Sequence, residues 1–191
     1  NQVRELRSFQ EGSNRPYLHL FDGGMSDNLG LRGILEFLDG LEHSGKAYAS
    51  FILKNVKKII IIVVNARQSL EMDWDRRESP PGGSVLMDRA MGIPMGRYSY
   101  ETIEALKDKI EKMQIGKSSG SKEGQNGVPR LDFHFIEVKF ESITDKQERR
   151  YFLNLPTSFN LPADSVNRLR SMGARLLRES PEFRNMLKGL R

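Results

Sequence analysis

The sequence contains no cysteine. Disulfides, cysteine-ligated zinc and thiol catalysis are therefore excluded from this chain. Histidine is nearly as scarce. His19, His43 and His134 stand far apart, none has metal-ligand spacing to another or to a carboxylate pair, and each reads as structural. Long apolar runs are missing too: the longest, Ile59 to Val64, falls far short of the roughly 20 residues that a helix needs to span a bilayer. No transmembrane segment is expected, and no signal-peptide pattern is present. The chain opens on Asn1-Gln2-Val3 without an initiator methionine, so upstream residues are expected to have been removed.

What is present suffices for a core. In 191 residues, 38% are hydrophobic, which fits one domain of ordinary size. Leu, Ile, Val and Phe are spread along the chain, which argues against wholesale disorder. The net charge of +5 permits an anionic partner, either a phospholipid surface or a nucleic acid. The positive clusters at Lys54/Lys57/Lys58, at Arg149/Arg150 and in the Arg-rich last third alternate with apolar residues and read as solvated helix faces. No zinc finger, helix-turn-helix or aromatic-stacking signature accompanies them, so no nucleic-acid partner is expected.

Residues 1–16 are polar, carry Gly12, Ser13, Asn14 and Pro16, and read as a lead-in loop. Tyr17 to Phe21 is a short β-rich run that stops at Asp22-Gly23-Gly24. Ser26, Asp27 and Asn28 then offer cap side chains to a helix with apolar positions at Leu31, Ile34, Leu35 and Leu38. Lys58 to Asn65 is a β-branched run with no polar alternation, as expected of an interior parallel strand buried on both faces. Residues 66–84 read as a surface loop, followed by a helix with Ser99 as its cap and Ile103, Leu106, Ile110 and Met113 at helical spacing. The Gly/Ser/Lys-rich stretch 116–129 suits a mobile excursion. Leu131 to Phe140 makes one further strand, with a shift of apolar phase at Ile136 that implies a bulge or burial on both faces. Three helices are expected in the tail: Thr144 to Leu155, ended by Pro156; Ala163 to Glu179, with Val166, Leu169, Met172 and Leu176 inward; and Pro181 to Gly189, capped by Ser180. The pattern predicts a layered α/β domain with a helical tail, 17–140 forming the α/β portion and 141–191 the tail.

The segment with chemical content runs from Tyr17 to Gly30, with Asp22-Gly23-Gly24 at its centre. A carboxylate at the end of an apolar strand, followed by two glycines, is held by the sheet while the chain turns away with no side chains in its path. Such a group suits general-base work. The pair Asp22-Gly23 alone reads as a common strand-terminal turn.

The longer pattern, an apolar strand, Asp22-Gly23-Gly24 and then Asp27-Asn28-Leu29, resembles the Asp-Gly-Gly/Ala motif of the patatin-like phospholipases. Val63-Val64-Asn65-Ala66-Arg67 and Asn154-Leu155-Pro156-Thr157-Ser158-Phe159-Asn160-Leu161 extend the resemblance toward bacterial members of that family. The resemblance implies a layered α/β/α fold and an aspartate, here Asp22, that pairs directly with a serine. Gly23, Gly24 and Asn28 would be its supporting turn. It implies lipid or phospholipid substrates at a membrane surface, a membrane-associated or envelope location, and neither cofactor nor metal. In the family the serine lies in a Gly-x-Ser-x-Gly elbow that precedes the aspartate. The 21 residues before Asp22 contain no such elbow and no glycine-rich oxyanion loop, so the chain reads as the C-terminal portion of one patatin-like domain, with the nucleophile upstream. A non-catalytic module of the same fold, binding lipid or protein, is the alternative.

Other constellations are weaker. Gly116-Lys117-Ser118-Ser119-Gly120 matches the elbow pattern but follows a helix and lies after Asp22, so Ser118 is not expected to be a nucleophile. Ser26 lies on the same turn as Asp22, where residues rarely have the line of approach that a base and its nucleophile need. Asp22 with Asp27 matches no calcium loop. Residues 71–78 concentrate charge around Trp74, the one tryptophan, and read as a solvated loop.

Overall fold

The computed structural model describes residues 3, 7–10, 17, 19, 20, 22–43, 51–69, 76, 78–115 and 131–190. Their centre is a pair of parallel strands, β1 (Lys58–Asn65) and β2 (Asp132–Lys139), in unbroken register from Lys58 opposite Asp132 to Asn65 opposite Lys139. β1 has the expected boundaries. β2 has no bulge, and its change of apolar phase reflects burial on both faces: Phe133 faces one core and Val138 another. A parallel pair needs a long crossover. Here α3 (Gly83–Ile115) supplies it.

On one face, Ile61, Val63 and Phe133 pack with Leu38 and Leu41 of α2 (Leu31–His43) and with Ile103, Leu106 and Ile110 of α3. These helical positions recur at intervals of three or four residues, so each helix turns one stripe to the sheet. On the other face, Val138 packs with Phe152 of α4 (Lys146–Leu153) and with Met172 and Leu176 of α5 (Ala163–Glu179). The last helix, α6 (Pro181–Lys188), also lies against β2. The protein is thus mixed α/β and mostly helical, with a two-stranded parallel sheet among the described residues. No helix of the described residues is long and apolar enough to cross a membrane.

Local chemistry fixes the tail. Asp145 accepts a hydrogen bond from the Glu148 N–H at 2.7 Å and caps α4. Ser180 accepts from the Phe183 N–H at 3.2 Å, with Pro181 in the first turn of α6 as expected. The Ser69 N–H donates to the Leu153 carbonyl at 3.0 Å, and the Lys58 ammonium donates to the Gly189 carbonyl, so the start of β1 and the segment after its end are tied to the tail.

Five expectations are corrected. Val3, Arg7 and Ser8 of the expected lead-in loop are helical, in a stretch that meets no glycine or proline before Gly12. Tyr17, His19 and Leu20, the described residues of the expected first strand, lie outside any strand; β1 pairs only with β2 among the described residues, and a β-rich run without a ladder partner stays irregular. β1 is not buried on both faces: Ile60, Ile62 and Val64 are 40%, 44% and 63% exposed. Ser99 does not cap a helix but is buried within α3, which begins sixteen residues earlier at Gly83 and passes through Pro94. Val166 is not inward: it is 41% exposed, at the flank of the α5 stripe that buries Met172 and Leu176.

α2 and α3 are also joined by charge. The Lys109 ammonium binds the Asp39 carboxylate and the Glu42 carboxylate, the latter at 2.7 Å. The hydrogen bond and charge of Lys109 hold the Asp39 carboxyl below its ordinary pKa. Partial burial pulls the Lys109 ammonium down, and its two carboxylate partners outweigh this to raise it. A carboxylate lowered on folding stabilises the fold above its unfolded value, about 3.9, and loses that contribution as pH falls through the folded value. Asp39→Asn is therefore expected to lower the thermal midpoint slightly near neutral pH, with the difference from wild type closing in strong acid and narrowing in high salt. Melts at about pH 7 and about pH 2 check this; a constant difference contradicts it.

Candidate functional site

The Asp22 segment is built from backbone hydrogen bonds and one capping carboxylate. After Asp22 the chain enters α1 (Gly24–Asp27), which packs against α3. The Asp22 Oδ1 accepts the Gly24 N–H at 2.7 Å, and the Asp22 carbonyl accepts the Met25 N–H at 3.2 Å. The carboxylate is exposed rather than enclosed in a cleft, and Tyr17, His19 and Leu20, the described residues just before it, are not held in the sheet.

The two glycines differ. A Cβ at Gly23 would meet nothing within 4 Å, and φ is −59°, so other residues fit there. A Cβ at Gly24 would lie 2.9 Å from the Asn28 Oδ1 and 3.1 Å from the Asp22 Oδ1. Gly24 is the tight position, and the side chains of Asp22 and Asn28 converge over it. The structure thus brings together Asp22, Gly24 and Asn28 of the residues expected at the site, and Gly23 only as their neighbour in the chain.

Of the three capping side chains expected, Asp27 does the work. Its two oxygens accept the Leu31 and Arg32 N–H groups at 3.2 and 3.0 Å, two of the donors a helix start leaves unpaired. Ser26 instead donates its hydroxyl to the Gly23 carbonyl at 3.1 Å. Between cap and helix stands Gly30 at φ +67°, a left-handed conformation that costs a residue with a Cβ about 1–2 kcal/mol. The Glu36 carboxylate 3.2 Å from its Nε, together with Tyr98, raises the already strongly basic Arg32 guanidinium further. Asp27→Ala is expected to cost about 1 kcal/mol in urea unfolding by removing the cap. Asp27→Asn, which keeps an acceptor oxygen, is expected to recover most of that loss.

Comparison of the chain with protein-family models, curated proteins and solved structures finds no match.

The histidines are not part of this arrangement. His43 Nδ1 lies 2.7 Å from the Asp39 carbonyl in the last turn of α2. His134 sits in β2 with Nε2 buried and without a hydrogen-bond partner among the described residues. His19 is exposed and lies outside any strand. Among the described residues no three His, Asp or Glu side chains gather in a way that could hold a metal ion. Ser118 and Trp74 lie outside the described residues. The convergence of Asn28 with Asp22 and the left-handed Gly30 have no signature in composition or spacing beyond the residue types themselves.

Proposed function

We propose that the protein is a serine acyl-ester hydrolase of the patatin-like class acting on lipids or phospholipids, in which this chain supplies Asp22 as general base and a serine upstream supplies the nucleophile. The observation that carries the reading is the Asp22 turn: the carboxylate is held through one oxygen by the Gly24 N–H, leaving the other without a hydrogen-bond partner among the described residues and open to an incoming hydroxyl. In the reaction Asp22 takes the proton of the serine hydroxyl as its oxygen attacks the ester carbonyl. The proton then passes to the departing alcohol, leaving an acyl-serine. Water, deprotonated by Asp22, hydrolyses that ester in the second half.

A direct Ser–Asp dyad is consistent with the histidines, two of which are built into α2 and β2. A larger layered α/β/α sheet of the patatin type is supported by helices on both faces of the strand pair. It is further supported by the bare β1 face and by the first half of α3, where Leu86, Met87, Met91 and Ile93 are exposed. Additional strands and helices of one sheet would cover such surfaces. Catalysis is then a property of the larger protein, at a bacterial membrane or envelope surface. Loss of ester hydrolysis by full-length Asp22→Asn tests the reading.

A second reading is a non-catalytic patatin-fold module that binds lipid or protein. It is favoured by one observation: the Asp22 carboxylate is exposed rather than enclosed in a cleft. A strand-borne elbow preceded by a glycine-rich loop in the upstream gene sequence would discriminate in favour of the enzyme.

A further inference from the structure

The charge of this chain is unevenly placed. Residues 146–191 hold ten Lys and Arg against four Asp and Glu, whereas the first 145 hold twenty against twenty-one, so the whole positive excess sits in the helical tail. Within α5 the arginines divide into two kinds. The Arg168 guanidinium lies 3.7 Å from the centre of the Tyr151 ring, and Arg175 pairs with Glu148 at 2.6 Å. These two are engaged inside the tail. Arg170 and Arg178 have neither ion pair nor hydrogen bond to the described residues, and with Asn167, Ser171 and Ala174 they line an open hollow of about 540 Å³.

Val166, Arg170, Ala174 and Arg178 follow one another at i+4 spacing along a ridge of α5 that winds across the side away from the buried Met172 and Leu176. No Asp or Glu lies on that ridge. Two arginines separated by about 12 Å of helix axis, with no Asp or Glu in the chain between them, form a field that a polyanion would neutralise. The same surface is not purely polar. Val166 is exposed on it, and Phe159, in the segment leading into α5, is fully exposed. Arginine beside an exposed valine matches the boundary between lipid headgroups and acyl chains.

We infer that the outward face of α5, through Arg170 and Arg178 with Val166, docks the protein on an anionic phospholipid surface. The choice of lipid over another polyanion rests in part on the proposed lipid-hydrolase reading, while the docking itself needs no turnover. The test is sedimentation of the 191-residue chain with vesicles of phosphatidylcholine mixed with phosphatidylglycerol, against vesicles of phosphatidylcholine alone.

The expected result is binding to the anionic vesicles only, weakened by salt, and reduced about thirtyfold by Arg170→Gln/Arg178→Gln. Lys54→Gln/Lys57→Gln, which removes the same charge from another exposed stretch, should leave binding within about twofold. Equal losses in both double variants would show that net charge alone is read and would overturn the inference. So would binding to neither vesicle, or equal binding to both kinds. Tighter binding to duplex DNA than to anionic vesicles would assign the face to nucleic acid and overturn it as well. Asp22→Asn should sediment like wild type. A chain that ignores vesicles while its full-length form loses hydrolysis on Asp22→Asn would refute the docking face and leave the hydrolase reading intact.

Discussion

Full-length protein carrying Asp22→Asn is expected to lose ester hydrolysis by about 10²–10⁴-fold while remaining folded. Asparagine keeps a carbonyl oxygen at the position of Oδ1, so the hydrogen bond from the Gly24 N–H at 2.7 Å survives and the turn over Gly24 is preserved. What is lost is the ability to accept a proton from the attacking serine and, later, from water. Circular dichroism and the urea midpoint should therefore be unchanged while hydrolysis of a p-nitrophenyl ester falls to background. A serine-directed fluorophosphonate should label the full-length protein and leave the isolated 191 residues unlabelled. Near-wild-type turnover by Asp22→Asn would defeat the assignment of the base, and labelling at Ser118 would defeat the assignment of the nucleophile to the upstream region.

The second large effect concerns the tail. Phe152 is among the largest fully buried side chains, its ring stacked on Phe140 at 5.4 Å and set edge-on to Tyr151 at 5.1 Å. It also packs with Val138, Met172 and Leu176, so one ring joins β2 to α4 and α5. Phe152→Ala is expected to cost about 3–5 kcal/mol, the usual range for truncating a buried aromatic side chain to alanine, with the spread set by how far the surroundings collapse. Against a total stability of about 5–15 kcal/mol this is enough to loosen the tail at ordinary temperature. The urea midpoint should fall sharply. Phe159→Ala, at a fully exposed ring, should leave it unchanged. Equal midpoint changes in the two variants would contradict the packing described.

The parts of the fold legible in the sequence are those decided locally. β1 was readable because six consecutive Ile and Val residues suit a pleated buried surface. α5 and α6 were readable because Pro181, Ser180 and the spacing of Leu169, Met172 and Leu176 specify helices and their limits. Tyr17 to Phe21 has the same local preference, but a strand exists only where another strand receives its hydrogen bonds, and that partner is not a property of the segment. The early start of α3 was hidden because Gly92, Pro94 and Gly96 are poor helix formers. Gly96 has a separate reason to be there: the Arg67 guanidinium lies against it, 2.5 Å from where a Cβ would stand. At the site, the residue types Asp22, Gly24 and Asn28 could be read off, but their convergence depends on a turn of α1 that spacing does not specify.

The bond from Lys58 to the Gly189 carbonyl joins residues 131 positions apart. The first residue of the earlier strand is thus fastened by a residue just past α6, and among the described residues β2 is covered on its second face by helices that follow it. During synthesis, the strand pair leaves the ribosome with one side finished and the other still to be made. Contacts of such sequence separation form slowly, because a long loop must be closed before they contribute. The helical tail therefore acts as the closing step of folding, and a ribosome stalled before α4 would hold a sheet with its second side uncovered.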